Sequence, residues 1–297
     1  MLLADSQNLQ AEVFVELAFA VRATERVKLG TGVTNPLTRH PAVTAAAAAT
    51  LEAESGGRTV LGVGRGDSAV TFVGARPAPV AVLEEFVRRL QRYLRGEVVD
   101  SNGFPSRLEW LPKDVPNAVV DVAATGKRTI EIAARQADAV TFAVGAEPER
   151  LRWAIKTARA AGARRFGAYI VAAAHPNVAA ARDLVRANVA TFAHFSRSSL
   201  EQLRDGDRHV VEEVSRRYET AGDARSPAPQ AAVTDEFIDR FALAGPSERC
   251  AERLRERAVL EIDRFVVVGA GKDANPRGAE AAWKRFAMEV LPSLRAG

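Results

Sequence analysis

The chain of 297 residues has one cysteine, Cys250. A lone thiol cannot close an internal disulfide, so no disulfide framework is expected, and a reducing cytoplasm suits the chain. No apolar stretch approaches the ~20 residues needed to span a bilayer, so no membrane partner is expected. Asp5 interrupts the apolar start Met1-Leu2-Leu3-Ala4, so a secretory signal is not expected there. No dense basic run occurs, and the net charge is only +4. Nucleic acid is therefore not an expected partner. His175, His194 and His209 are scattered, without the spacing to cysteines or carboxylates that a metal needs, so no metal is expected. No G-x-S-x-G elbow supports a hydrolase. No G-x-G-x-x-G turn follows the first strand, as an open doubly wound dinucleotide fold would require.

What is present is the composition of an ordinary soluble globular protein, 47% hydrophobic and 26% charged. Apolar runs with strand character lie at 1–4, 27–33, 59–63, 118–124, 138–144, 166–173 and 263–269. Helical periodicity separates them. Residues 10–25 place Val13, Phe14, Leu17, Ala18 and Val21 on one face. His40-Pro41 opens the next helix and Gly56-Gly57 closes it. Further helices are predicted at 79–95, 129–136, 147–162, 178–193, 247–258 and 278–295. Cys250, inside the helical pattern at 247–258, reads as a buried small residue. Strands alternating with helices predict an α/β fold with a parallel sheet, of the TIM (β/α)8 barrel type, which typically takes ~250 residues. It is read as a single domain over 1–297. The stretch 96–116 reads as polar and irregular. Residues 195–244 read as a helical, polar insertion with a Ser/Pro/Ala loop at 223–231.

In parallel α/β folds, ligands bind beyond the carboxyl ends of the strands. Four polar tips fall there. The first is Asp5-Ser6. The second is Gly32-Val33-Thr34-Asn35. The third is Gly64-Arg65-Gly66-Asp67-Ser68, where backbone N–H groups and Arg65 suit an anion and Asp67 suits a hydroxyl. The fourth is Ala124-Thr125-Gly126-Lys127-Arg128, where a helix N-terminus and two cations favour a phosphate. Each also has a plain structural reading: strand-to-helix loops, Asp67 or Ser68 as a helix N-cap, and a solvated basic turn. His40 is a candidate catalytic residue, although a lone histidine beside Pro41 is more often a capping or structural residue. Ser55-Gly56-Gly57-Arg58 lies at a strand's amino end and reads as structural.

The stretch LGTGVTNPLTRHPAVTAAAAATLEAESGGRTVLGVGRGDS, over residues 29–68, resembles the luciferase-like oxidoreductases. Its nearest likeness is to their methylenetetrahydromethanopterin reductase branch. The resemblance continues more weakly through Asp5-Ser6, through Val122 to Thr129, and through 245–269. It implies a barrel that binds coenzyme F420, or FMN, at the strand carboxyl ends, and an oxidoreductase or monooxygenase acting on a small organic substrate. Asp5, with His40, would be catalytic. Asp5, Ser6, residues 32–35, 64–68 and 124–128 would contact the cofactor. The resemblance also implies a non-prolyl cis peptide at Gly32–Val33 and a homodimer or higher homo-oligomer. The family's first βα unit and most of its second strand would precede Asp5, so a truncated barrel of about seven strands is expected. A non-catalytic subunit of the same ancestry is the alternative. Substrate determinants are expected in 70–78, 96–116 and 195–244.

Overall fold

The computed structural model describes residues 1–111, 116–221, 226–270 and 275–294. Parts of two predicted irregular segments, 112–115 and 223–225, lie outside the described residues, as does the predicted helix end at 295. The chain forms two compact units. One comprises 1–123, 131–140 and 161–163; the other comprises 124–130, 141–160 and 164–297.

In the first unit, β1 (Leu2–Leu3), β2 (Leu29–Thr34) and β3 (Thr59–Val63) run parallel, with Leu2 opposite Gly30 and Leu29 opposite Thr59. α1 (Val13–Ala23) and α2 (Pro41–Ser55) connect them. Val13, Leu17 and Val21 recur every four residues, so one face of α1 buries against Leu29 and Leu51. Full burial of such a side chain is worth ~1.5–3 kcal/mol. Glu12 caps α1, accepting the Val15 N–H at 2.8 Å. His40 caps α2 through Nδ1, which accepts the Ala42 N–H at 3.2 Å, and Pro41 fills the first turn. Gly56 ends α2 in the left-handed conformation, as the glycine pair predicts.

The short helix α3 (Ser68–Thr71) and α4 (Val80–Leu94) follow. α4 buries Leu83, Phe86, Val87, Leu90 and Leu94 along one stripe. The stretch read as irregular at 96–116 contains a hairpin, β4 (Val99–Ser101) paired antiparallel with β5 (Phe104–Ser106). Asn102 and Gly103 form its turn, both at positive φ, as an Asn-Gly hairpin turn requires. Tyr93 of α4 donates to Ser106 Oγ at 3.0 Å and fixes the hairpin. β6 (Val119–Ala124) pairs with β3, Val60 opposite Val119. The division between the units runs through β6, α5 (Lys127–Gln136) and β7 (Ala139–Phe142).

The second unit continues with α6 (Pro148–Ala160) and β8 (Phe166–Ala174), whose nine residues are all buried. α7 (Val178–Phe195) falls on the helix predicted at 178–193, and the 3-10 segment Ser196–Gln202, α8 (Asp205–Ala221), α9 (Pro227–Gln230) and α10 (Asp235–Phe241) form the predicted helical insertion. The insertion ends in a strand that the sequence reading missed, β9 (Leu243–Gly245), parallel to β8 with Ala172 opposite Leu243. Three residues are too few for a period to show. α11 (Ser247–Ala258) leads to β10 (Arg264–Val268), which pairs with β8, Gly167 opposite Arg264. α12 (Pro276–Arg285) follows. The core of this unit gathers Val171, Ala173, Val185, Val189, Val211, Phe237 and Phe241. Cys250 is buried, with Sγ 3.5 Å from the Gly245 carbonyl, and burial pushes its pKa up to about 11.

Candidate functional site

The polar tips that the sequence singles out stand at the carboxyl ends of the parallel strands. In the first unit, the peptide between Gly32 and Val33 is cis, and the β2–β3 register shifts between Thr31 and Thr34. This is the bulge that the resemblance implies. Beyond it, the Gly64 N–H donates to the Thr34 carbonyl at 2.8 Å, joining the ends of β2 and β3. A Cβ on Gly64 would come within 2.8 Å of Val33 Cγ2, so glycine is required where these two ends meet.

Asp5, 4% exposed, follows β1 and is held by three donors. Thr34 Oγ1 donates to Oδ2 at 2.7 Å, Arg39 Nε to Oδ2 at 2.8 Å and Arg39 Nη2 to Oδ1 at 3.3 Å. Arg39 lies within the stretch 29–68 that carries the resemblance, but no site role is expected of it from the sequence. The signal, an arginine five residues after Thr34 in a loop, carries no period or spacing by which to recognise it. Ser6 Oγ lies 2.9 Å from Ser68 Oγ, and Gln7 Nε2 donates to the Ala69 carbonyl at 2.7 Å. These bonds pin the 5–7 segment to the start of α3.

Asn35 is buried and already engaged. Its Oδ1 accepts the N–H groups of Leu37 and Thr38 at 3.0 and 3.1 Å, and its Nδ2 donates to Thr38 Oγ1 at 2.9 Å. It therefore shapes the loop before His40. His40 itself is exposed and caps α2. Asp67 occupies the N-cap position of α3 without a side-chain capping bond. Arg65 closes the following loop on itself: its carbonyl accepts the Ala78 N–H at 2.9 Å, and its Nε donates to the Ala78 carbonyl at 2.5 Å. Gly66 has φ 82°, and a Cβ there would meet Val70 and Asn35. This glycine is thus explained by the turn itself, whatever approaches it.

In the second unit, the Gly126 carbonyl accepts the Ile130 N–H at 3.0 Å, which makes Gly126 the entry to α5. Lys127 and Arg128 lie within the first turn of α5, two residues earlier than the predicted helix start, and both side chains are exposed. The helix N-terminus and two free-standing cations remain the features that suit an anion. Ala124 is buried beneath them. Thr125 Oγ1 lies 2.8 Å from Ser198 Oγ, and a Cβ on Gly126 would meet the Ser198 carbonyl and hydroxyl at 2.8 Å. Ser198 is a neighbour that sequence reasoning missed, because it comes from a segment 72 residues beyond Gly126 in the chain.

Behind Ser198, Arg150 is fully buried and donates from Nη2 to Ser199 Oγ at 3.1 Å. Burial lowers the Arg150 pKa to about 10, with Glu147 and Asp207 opposing the fall. Glu147 is also buried, and desolvation raises its pKa although Arg204 lies 3.0 Å from Oε1. Among the described residues, no group of His, Cys, Asp and Glu could hold a metal ion, and no helix is long and apolar enough to cross a membrane.

The fit to a planar ring with a hydroxylated chain can be tested on these residues. Gly32, Gly64 and Gly66 place three positions without a side chain at the strand ends of the first unit. Asp5 offers an acceptor beside them, and Ser6 and Ser68 offer hydroxyls. This set of groups suits such a cofactor.

A family model for luciferase-like monooxygenases matches residues 1–264. The 5,10-methylenetetrahydromethanopterin reductase of Methanolobus tindarius is 27% identical over 299 residues, spanning 94% of this chain and 87% of that protein. The F420-dependent glucose-6-phosphate dehydrogenase of Beutenbergia cavernae is 30% identical over 298 residues, spanning 94% of this chain and 82% of that protein. Among solved structures, the coenzyme F420 dependent tetrahydromethanopterin reductase from Methanopyrus kandleri matches with a TM-score of 0.74 at 22% identity, covering 98% of this chain and 90% of that chain. That likeness shows the fold class predicted from the strand–helix alternation, a parallel α/β fold of the barrel type.

Proposed function

We propose that this chain, which belongs to the luciferase-like monooxygenase family, is an oxidoreductase that uses coenzyme F420 on a small organic substrate. The observation that carries the reading is the joined end of β2 and β3. There the register shift, the Gly64 cradle and the buried Asp5 meet in the arrangement that the resemblance implies. The F420-dependent name of the Beutenbergia cavernae relative supports F420 over FMN.

Bound there, F420 would supply hydride transfer, which the protein's own side chains cannot perform. The residues hold and orient. Asp5 accepts hydrogen bonds in all three of its contacts, so it suits a hydroxyl donor from the cofactor. Ser6 and Ser68, already paired, can each exchange that bond for one to the ligand. Gly32, Gly64 and Gly66 leave backbone without a side chain at three positions of these strand ends. Thr125, Lys127 and Arg128, in their own unit, are assigned to an anion, where charge-assisted bonds are worth ~1.5–3 kcal/mol each. His40 is given no chemical role, because its ring nitrogen is used to cap α2.

The test is a parallel titration of the purified protein with F420 and with FMN, followed by fluorescence and absorbance. Saturable F420 binding, at least tenfold tighter than FMN, is the expected result. Tighter FMN binding would move the chain to the flavin-dependent side of the family. No binding of either would favour a non-catalytic member.

A further inference from the structure

The loop between Asn35 and α2 carries Arg39, which holds Asp5 and to which the reading above assigns no part in cofactor binding. Arg39 is 21% exposed at its side chain, and its guanidinium forms a fork on Asp5, with Nε on Oδ2 and Nη2 on Oδ1. The same Nη2 pairs with Glu12, the cap of α1, and the guanidinium lies 4.8 Å from the centre of the Phe14 ring. Burial works against the charge of Arg39, but its hydrogen bonds to Asp5 and Glu12 outweigh this and hold its pKa above the ordinary arginine value.

Two separate segments meet on this one side chain, the end of β1 through Asp5 and the start of α1 through Glu12, and the end of β2 joins them through Thr34 on the Asp5 carboxylate. A carboxylate can accept about four hydrogen bonds. Oδ2 already takes two short ones, from Thr34 and Arg39, whereas Oδ1 takes only the longer 3.3 Å contact. The fork sets the rotation of the carboxylate and so decides which oxygen keeps acceptor capacity. A lysine would bring the charge without the fork, because an ammonium group is a point donor.

We infer that Arg39 is a positioning residue of the cofactor site, acting through Asp5 to present Oδ1 to a hydroxyl of the bound cofactor. The inference rests on the F420 reading above. It assigns Arg39 no contact with the cofactor and Asp5 no role as an acid.

The experiment is a double-mutant cycle in F420 affinity, read by fluorescence titration, with thermal unfolding of every variant measured alongside. Arg39→Met should weaken F420 binding tenfold or more in the wild-type background. It should change little in the Asp5→Asn background, where the carboxylate that it orients is gone. Arg39→Lys should recover only part of the affinity, even where the unfolding temperature is fully restored. An equal loss in both backgrounds, or unchanged affinity in folded Arg39→Met, would overturn the role. If Arg39→Met does not fold, Arg39→Lys supplies the same cycle. Wild-type protein that binds neither F420 nor FMN would instead sink the cofactor reading, and the role of Arg39 with it.

Discussion

The Glu52 carboxylate accepts the backbone N–H of Thr59 at 2.7 Å, tying the last turn of α2 to the first residue of β3. Glu52 is 3% exposed, so this carboxylate stands in the interior with a backbone partner. Beside it, Arg58 donates to the carbonyls of Val21, Thr24 and Val27 and locks the end of α1 to the same corner. All of this lies at the amino end of β3, opposite the polar tips. Glu52→Ala should leave the Thr59 N–H buried without a partner, at a cost of ~1–3 kcal/mol. The melting temperature should fall by several degrees while F420 affinity is unchanged. A loss of affinity without a loss of stability would contradict this division between the two faces.

The second prediction concerns the turn that opens α5. Lys127 and Arg128 are exposed, so replacing both with alanine removes charge without opening a cavity. Affinity for F420 should fall by tenfold or more, on the order of 1.4 kcal/mol per decade. The unfolding temperature should hardly move. Binding at full strength by a folded double variant would return this stretch to a solvated basic turn.

Gly66 separates a backbone requirement from a ligand contact. Its φ of 82° and the nearness of Val70 and Asn35 make any side chain there costly. Gly66→Val should therefore lower stability as well as binding, so it cannot by itself report on the ligand. Gly66→Ala should show the same pairing more mildly. Loss of binding with an unchanged melting curve would show that the ligand, and not the turn, demands glycine.

Cys250 offers a chemical check on the packing of the second unit. Burial raises its pKa to about 11, above the ordinary thiol value, and the thiolate is the reactive form. The folded protein at pH 8 should resist a thiol reagent that titrates the unfolded chain completely. The raised value favours the protonated thiol in the folded state. Its contribution to stability is thus full below the ordinary thiol range and is lost as pH rises toward about 11. Rapid labelling of native protein at pH 8 would place this thiol near the surface.

By itself, the order of residues determined the alternation of strand and helix, and with it the fold class. That information is local: apolar runs of period two or none, helical stripes such as Val13, Leu17 and Val21, and stops such as Gly56. It also marked the strand ends where polar residues cluster, because Gly32–Asn35 and Gly64–Ser68 interrupt apolar runs. The Asn102-Gly103 hairpin turn is equally local, but the prolines around it mask the short strands on either side. Tertiary structure alone decided which polar groups meet. Thr34 reaches Asp5 across 29 positions, and Arg39 reaches it across 34. Ser198 reaches Thr125 across 73. β9 exists only because β8 offers it an edge. Hydrogen bonds of this kind depend on approach within about 3 Å, and no pattern along the chain encodes such a distance until the strands have paired.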